Sequence, residues 1–315
     1  MQAVVLHEGS IELAERPAPV PGSRDVVVAV RAAGVNAADL LQRQGLYPAP
    51  PGWPADIPGL EMAGVVSSVG SDIHEPLLGR RVCAIVGGGA QATHCAVPVE
   101  HLIFIPEHAS WDEAGGFAEA FATAHDALVT QGSLTSGERV LISGAAGGVG
   151  AAGVQLAHAL GAHVTAVTRT KEHHEQLRAL GADETITMSH VSEIDPVNVV
   201  LELVGAAHLD HAQGVLAPRA RVIVIGVSGG SRVEIDLRTV MGLRVTFTGS
   251  TLRARSREEK ALVVARLNEH LVPLWTAAQL RVPIARSFDL SNAASAYDYF
   301  AQPGKFGKVV VRVEQ

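Results

Sequence analysis

Short apolar runs at positions 3–6, 11–13, 26–30, 81–86 and 93–99 are separated by glycines, prolines and charged turns. This spacing predicts β-strands, with an antiparallel start. Residues 59–70 add a strand broken by glycines, which suits a small curled barrel. Between them, residues 33–45 read as a short helix after Asn36, followed by Tyr47-Pro-Ala-Pro-Pro-Gly-Trp-Pro54. The prolines there forbid regular structure and leave a stiff loop carrying two aromatics. It is either a solvated turn or a rim over a pocket.

The pattern changes after Ser110-Trp-Asp-Glu113, a capping box that predicts a helix running through Phe117 to Val129. Apolar, β-branched runs then recur at 139–143, 163–168, 197–204, 221–226 and 244–248, with helical stretches between most of them. Near-continuous apolar strands alternating with helices indicate a parallel sheet covered on both faces. Ser256-Arg-Glu-Glu259 caps another helix, and a helix at 290–300 and a strand at 308–313 close the chain. These last elements do not extend the alternation, so they are expected to return to the first domain.

The run Arg139-Val-Leu-Ile-Ser-Gly-Ala-Ala-Gly-Gly-Val-Gly150 joins a strand to a helix through glycines at 144, 147 and 150, with Gly148 and Val149 between. Such spacing permits a sharp turn, close approach to a pyrophosphate and tight helix packing. The phosphates would sit on the helix N-terminus, where free N–H groups and the macrodipole favour negative charge. A dinucleotide site is predicted. The second strand ends in Val167-Thr-Arg-Thr-Lys171 rather than in a carboxylate. Arg169 and Lys171, with the hydroxyls of Thr168 or Thr170, could hold a ribose 2′-phosphate, so NADPH is preferred; otherwise these are solvated charges opening a helix.

Composition narrows the classes. At 315 residues and 47% hydrophobic content the chain can bury two cores, and two domains are expected. A net charge of −7 with no long basic run gives no support for nucleic-acid or membrane-surface binding. No apolar span reaches membrane length and the N-terminus lacks a signal pattern, so a cytoplasmic protein is expected. Cys83 and Cys95 form no C-x-x-C pair and read as buried thiols.

Taken together, the glycine turn, Asn36-Ala-Ala-Asp-Leu-Leu-Gln-Arg-Gln-Gly-Leu-Tyr47, Gly59-Leu-Glu-Met-Ala-Gly64 and Phe306-Gly-Lys308 resemble the zinc-lacking, zeta-crystallin-like quinone oxidoreductases of the medium-chain dehydrogenase/reductase superfamily. The resemblance spans nearly the whole chain. It implies an α/β fold in which a Rossmann parallel-sheet cofactor domain, residues 118–254, is inserted in a GroES-like, mostly antiparallel β catalytic domain, residues 1–117 and 255–315. A cleft between them would bring the NADPH nicotinamide to the substrate, and homodimers are common in that family. By position, Tyr47 and Asn36 match catalytic-side residues. Thr123, Gly147 to Gly150, Gly226, Val227, Ser228, Ser250, Thr251, Leu252 and Lys308 match cofactor-side residues. Two features depart from the pattern: His173 stands where many relatives carry the 2′-phosphate lysine, and residues 187–197 are shorter and lack an aromatic often found near the adenosine.

Zinc alcohol dehydrogenases share the architecture but have Gly-His-Glu where this chain has Gly59-Leu60-Glu61, and leucine cannot ligate zinc. The pairs His208/His211, His94/Cys95 and His173/His174 lack a third convergent ligand and read as surface or packing pairs, so no metal is expected. Without a Lewis acid an acceptor must delocalise the arriving charge itself, as a quinone or conjugated carbonyl does. The expected activity is therefore NADPH:quinone reduction. An enoyl or alkenal reductase of the same fold is the alternative, and a third reading is an NADPH-binding protein with little turnover. Tyr47 either donates a proton or only stacks.

Overall fold

The computed structural model describes residues 1–313. Contacts divide it into two units, Met1–Ala122 together with the stretch from Leu252, and Thr123–Thr251. The first stretch contributes β1 (Gln2–His7), β2 (Ser10–Glu15), β3 (Asp25–Val35), β4 (Glu61–Val69), β5 (Arg81–Ile85), β6 (His94–Pro98) and β7 (Leu102–Phe104). The second unit holds β8 (Arg139–Ile142), β9 (His163–Thr168), β10 (Glu184–Thr187), β11 (Val197–Glu202), β12 (Leu216–Val224) and β13 (Thr246–Gly249). The C-terminal stretch adds β14 (Ile284–Asp289) and β15 (Lys308–Arg312).

In the first unit β3 organises a seven-stranded sheet ordered β14-β15-β3-β4-β5-β7, with β6 also on β3. Two register shifts bend β3, so its start pairs with β6 and its end with β15, both antiparallel. Alternate residues Val26, Val28 and Val30 face one core with Met62, Val82, Val309 and Val311. β1 and β2 pair apart as a two-stranded antiparallel sheet, while the C-terminal strand β15 joins the seven-stranded sheet beside β3, which positions Lys308 opposite the end of β3.

The helix expected from Ser110 to Val129 is broken. It runs Trp111–Gly115, restarts at Ala118–His125 and continues as a π-helical turn, Asp126–Gln131. The reason is close packing: a Cβ on Gly115 would lie 2.7 Å from Ala32 Cβ, and one on Gly116 would crowd the Lys308 side chain at 3.0 Å. A capping box depends on residues within its own turn and carries no information about what packs against the glycines that follow.

The second unit is a six-stranded sheet of order β10-β9-β8-β11-β12-β13, parallel throughout. This is the doubly wound Rossmann order. Residues 184–187 form an edge strand that the sequence pattern did not resolve, since four residues carry too little periodicity. β13 begins at Thr246 rather than at 244 because Arg244, at φ 55°, closes the helix Leu237–Leu243 in the left-handed conformation. Among the described residues, no helix is long and apolar enough to cross a membrane.

Candidate functional site

In the second unit the glycine turn leaves the C-terminal end of β8 and enters the helix Gly148–Ala159. Gly147 is its N-cap, and neither a capping side chain nor an acidic first-turn residue occupies the end. The first N–H groups have no partner within the helix, so they remain available to an anion. A Cβ on Gly150 would fall 2.5 Å from Gly144 O and 2.6 Å from Ala145 Cα, so only glycine lets the helix approach its own turn this closely. Gly144, at φ 57°, makes the left-handed bend. The cradle therefore fits a dinucleotide pyrophosphate.

A buried network supports this turn. Ser143 Oγ donates to Glu202 Oε1 at 2.7 Å and accepts from Leu203 N at 2.7 Å. The same Glu202 oxygen accepts from Val204 N and Gly205 N, both at 2.8 Å, and Glu202 Oε2 lies 2.5 Å from His208 Nδ1. Burial opposes the charge on Glu202, yet His208 and the Gly205 and Ser143 bonds hold its carboxyl below the ordinary range. His208 is fully buried and bonded to Glu202, which is the packing alternative that the sequence left open for it. Gly226 lies in the loop after β12, against the Leu203 carbonyl; Val227 and Ser228 follow it exposed.

At the end of β9, Thr168 is turned inward: its hydroxyl donates to Thr170 O at 2.7 Å and lies 3.0 Å from His174 Nε2. Arg169, Thr170 and Lys171 are exposed, and neither cation enters an ion pair among the described residues. His173 is held to Gln176, with Nδ1 2.7 Å from its Oε1. Burial, with Arg178 and Lys171 nearby, lowers His174. A cavity of about 490 Å³ opens beside Lys171, lined also by His174, Arg178, Thr187 and His190. Thr123 is buried at the start of the unit, and Ser250 donates to Asp126 Oδ2 at 2.7 Å. Thr251 is exposed at the unit's end, whereas Leu252 is buried in the first unit.

The first unit brings Asn36 and Lys308 together. Lys308 Nζ donates to Glu61 Oε1 at 2.5 Å and to Asn36 Oδ1 at 2.7 Å, and Asn36 Nδ2 donates to the same Glu61 oxygen at 3.0 Å. Both ends of the Asn36 amide are thereby oriented, with one amide hydrogen left over. Glu119 N donates to Glu61 Oε2 at 2.8 Å. Asn36 also caps its helix, with Asp39 Oδ2 accepting from Asn36 N at 2.8 Å and Oδ1 from Gly59 N at 3.1 Å. Burial raises Asp39 to about 6 despite those bonds. Burial and the Glu61 carboxylate raise Glu119 to about 8, although part of its surface reaches solvent.

Tyr47 is half-buried, and burial raises its phenol while the Arg253 guanidinium, 5.2 Å from its ring centre, pulls the other way. Leu60 is buried in the core and Glu61 is engaged by Lys308. Among the described residues no group of three or more His, Cys, Asp or Glu side chains could hold a metal ion. Glu119, Arg253, Gln42, Ser143 and Glu202 were not legible in the sequence. Gln42 and Glu119 sit in helices, Ser143 and Glu202 at the ends of apolar strands and Arg253 in a loop, and only burial or a distant partner marks them.

Residues 22–135 match the alcohol dehydrogenase GroES-like domain family and residues 148–269 the zinc-binding dehydrogenase family. The quinone oxidoreductase-like protein 2 homolog of Nematostella vectensis is 30% identical, over 93% of this chain and 83% of its own. Human quinone oxidoreductase is 28% identical, over 93% of this chain and 90% of its own. The quinone oxidoreductase of Thermus thermophilus, solved alone and with NADPH, superposes with a TM-score of 0.87 at 34% identity, covering 99% of this chain and 100% of that one. With the parallel Rossmann sheet, the GroES-like unit and the glycine turn, these matches establish that the chain belongs to the zeta-crystallin-like quinone oxidoreductase branch of the medium-chain dehydrogenase/reductase superfamily.

Proposed function

We propose that this oxidoreductase is a zinc-independent, NADPH-dependent reductase of quinones or similar electron-poor conjugated carbonyls. The observation that carries the reading is the use made of Glu61. Where zinc enzymes of this architecture have a histidine before this glutamate, Leu60 is buried, and the carboxylate is committed to Lys308 and Asn36. Among its described residues the unit thus offers hydrogen-bond donors and no assembled ligand set.

NADPH, when bound, supplies a hydride from nicotinamide C4. The exposed Arg169 and Lys171, with no carboxylate between them, support selection of its 2′-phosphate, and the Gly144–Gly150 turn supports binding of its pyrophosphate. Asn36, fixed by Lys308 and Glu61, has one amide hydrogen to donate to an acceptor carbonyl. Tyr47 keeps its phenolic proton through neutral pH because burial raises it, so it can orient the acceptor and donate. The residues then act mainly by positioning and by supplying a proton, with charge delocalised in the acceptor itself.

A homodimer is part of the same proposal: Leu237 and Met241, 75% and 76% exposed, lie on the helix preceding the edge strand β13. A reducing, cytoplasmic setting suits the two free, buried thiols Cys83 and Cys95.

The test is oxidation of NADPH and NADH by chelator-treated protein, with an ortho-quinone, a para-quinone and a simple enone in parallel. Quinone-dependent NADPH oxidation that survives chelation is expected. Turnover confined to the enone would move the substrate class, and loss of activity on chelation would refute zinc independence. Replacing Arg169 and Lys171 together with alanine is expected to weaken NADPH far more than NADH; equal losses would refute the phosphate assignment.

A further inference from the structure

The loop from Tyr47 to Ala55 contains four prolines, which have no N–H to donate. Its shape is stiff, but it has few donors with which to anchor itself, and the anchoring comes from elsewhere in the first unit. Arg253, 3% exposed, spreads its guanidinium over three neutral oxygens. Nη1 donates to Tyr47 O at 2.7 Å, Nε to Gly87 O at 2.9 Å and Nη2 to Gln42 Oε1 at 2.6 Å. Gln42 relays the hold, because its Nε2 donates to Ala55 O at 3.1 Å. The two ends of the loop are thus tied to one guanidinium. Lys260 adds a third tie, with Nζ donating to Arg253 O at 2.8 Å and lying 5.4 Å from the Trp53 ring centre.

A buried cation ordinarily demands a bound carboxylate. Arg253 has none among the described residues; Asp39 favours its charge through the field alone. Three carbonyl-type acceptors in a fixed fork need the planar guanidinium, so the arrangement is suited to holding geometry.

We propose that Arg253 and Gln42 form a clamp that sets the position of Tyr47 and the Pro-rich loop and thereby the affinity for the electron acceptor, with Arg253 as a positioning residue. The inference rests on the reductase reading for its choice of ligand. It also gives Arg253 a task directly after the Ser250–Leu252 stretch assigned to the cofactor.

The test compares the full-length protein with Arg253→Met, Arg253→Lys and Gln42→Met. Backbone hydrogen exchange over residues 46–56 reads the clamp without any turnover. Equilibrium quenching of tryptophan fluorescence by a para-quinone reads acceptor binding, and steady-state kinetics read KM for acceptor and for NADPH separately. Exchange in the loop is expected to accelerate. Acceptor Kd and KM should rise about tenfold or more in Arg253→Met, consistent with losing charge-assisted hydrogen bonds, and less in Arg253→Lys. The KM for NADPH should stay within about twofold, below the scale of one lost hydrogen bond. If Arg253→Met does not fold, Arg253→Lys and Gln42→Met carry the test. Unchanged exchange in both, or equal weakening of acceptor and NADPH, overturns the clamp. Wild-type protein that turns over no acceptor overturns the reductase reading instead, while exchange and quinone quenching still decide the clamp.

Discussion

Lys308→Met tests whether the Lys308–Glu61 pair holds the first unit's site together. Lys308 is 3% exposed and Glu61 fully buried, and the ammonium is bonded to Glu61, Asn36 and, at 3.4 Å, to Val35 O. Methionine fills the stem but removes all three donors. Breaking one side of a buried ion pair costs about 3–5 kcal/mol. The stranded carboxylate keeps only its bonds from Asn36 Nδ2 and Glu119 N, neither of them a cation, so a loss of about 3–5 kcal/mol is expected at pH 7. All three tryptophans, Trp53, Trp111 and Trp275, lie in the first unit. Urea unfolding followed by their fluorescence therefore reports this unit alone. Adding Glu61→Gln to Lys308→Met removes the unpaired charge and should restore much of the loss. A single variant within about 1 kcal/mol of wild type, where exposed pairs fall, or a double variant no more stable than the single, would refute the reasoning.

Other changes probe separate parts. Gly150→Ala forces a Cβ to 2.5 Å from Gly144 O and 2.9 Å from Ala145 C, so calorimetry should show NADPH and NADH binding weakened alike, with about 1–3 kcal/mol lost in stability from overpacking. Glu119 is raised from 4.5 to about 8 by burial and Glu61, so its folded state binds a proton that the unfolded state releases. The stability from this group is full below 4.5 and is lost as pH rises through about 8. Glu119→Gln should flatten that part of the pH–stability profile, and an unchanged slope between wild type and variant would sink the assignment. Ser256 accepts from Glu259 N at 3.2 Å while Glu259 accepts from Ser256 N at 2.8 Å; Ser256→Ala should cost about 1 kcal/mol by urea titration without changing cofactor affinity.

The parts legible in the chain are those whose cause is local. The glycine turn was readable because strand, glycine spacing and helix follow one another within a dozen residues, and the structure assembles them as the end of β8 and a helix N-terminus. Capping boxes at Ser110 and Ser256 form as expected, since donor and acceptor are three residues apart. The parallel sheet was readable because strands buried on both faces must be apolar throughout. Edge strand β10 escaped for lack of length, and the helix break at Gly115 and Gly116 escaped because its cause is Ala32 and Lys308, far away in the chain.

The candidate site divides in the same way. Sequence alone determined that a glycine-rich turn joins a strand to a helix, that cations rather than a carboxylate follow β9, and that a leucine stands before Glu61. Only the tertiary structure decided what Glu61 does. Lys308 reaches it across 247 positions, and Arg253 reaches Gln42 across 211 and Tyr47 across 206. The charge state of Glu119 was decided there too, by burial and the nearness of Glu61. A local pattern constrains backbone shape, because turns, caps and strand faces depend on neighbours in the chain. Burial energies, ion pairing and side-chain orientation depend on neighbours in space, and those exist only once the fold has formed.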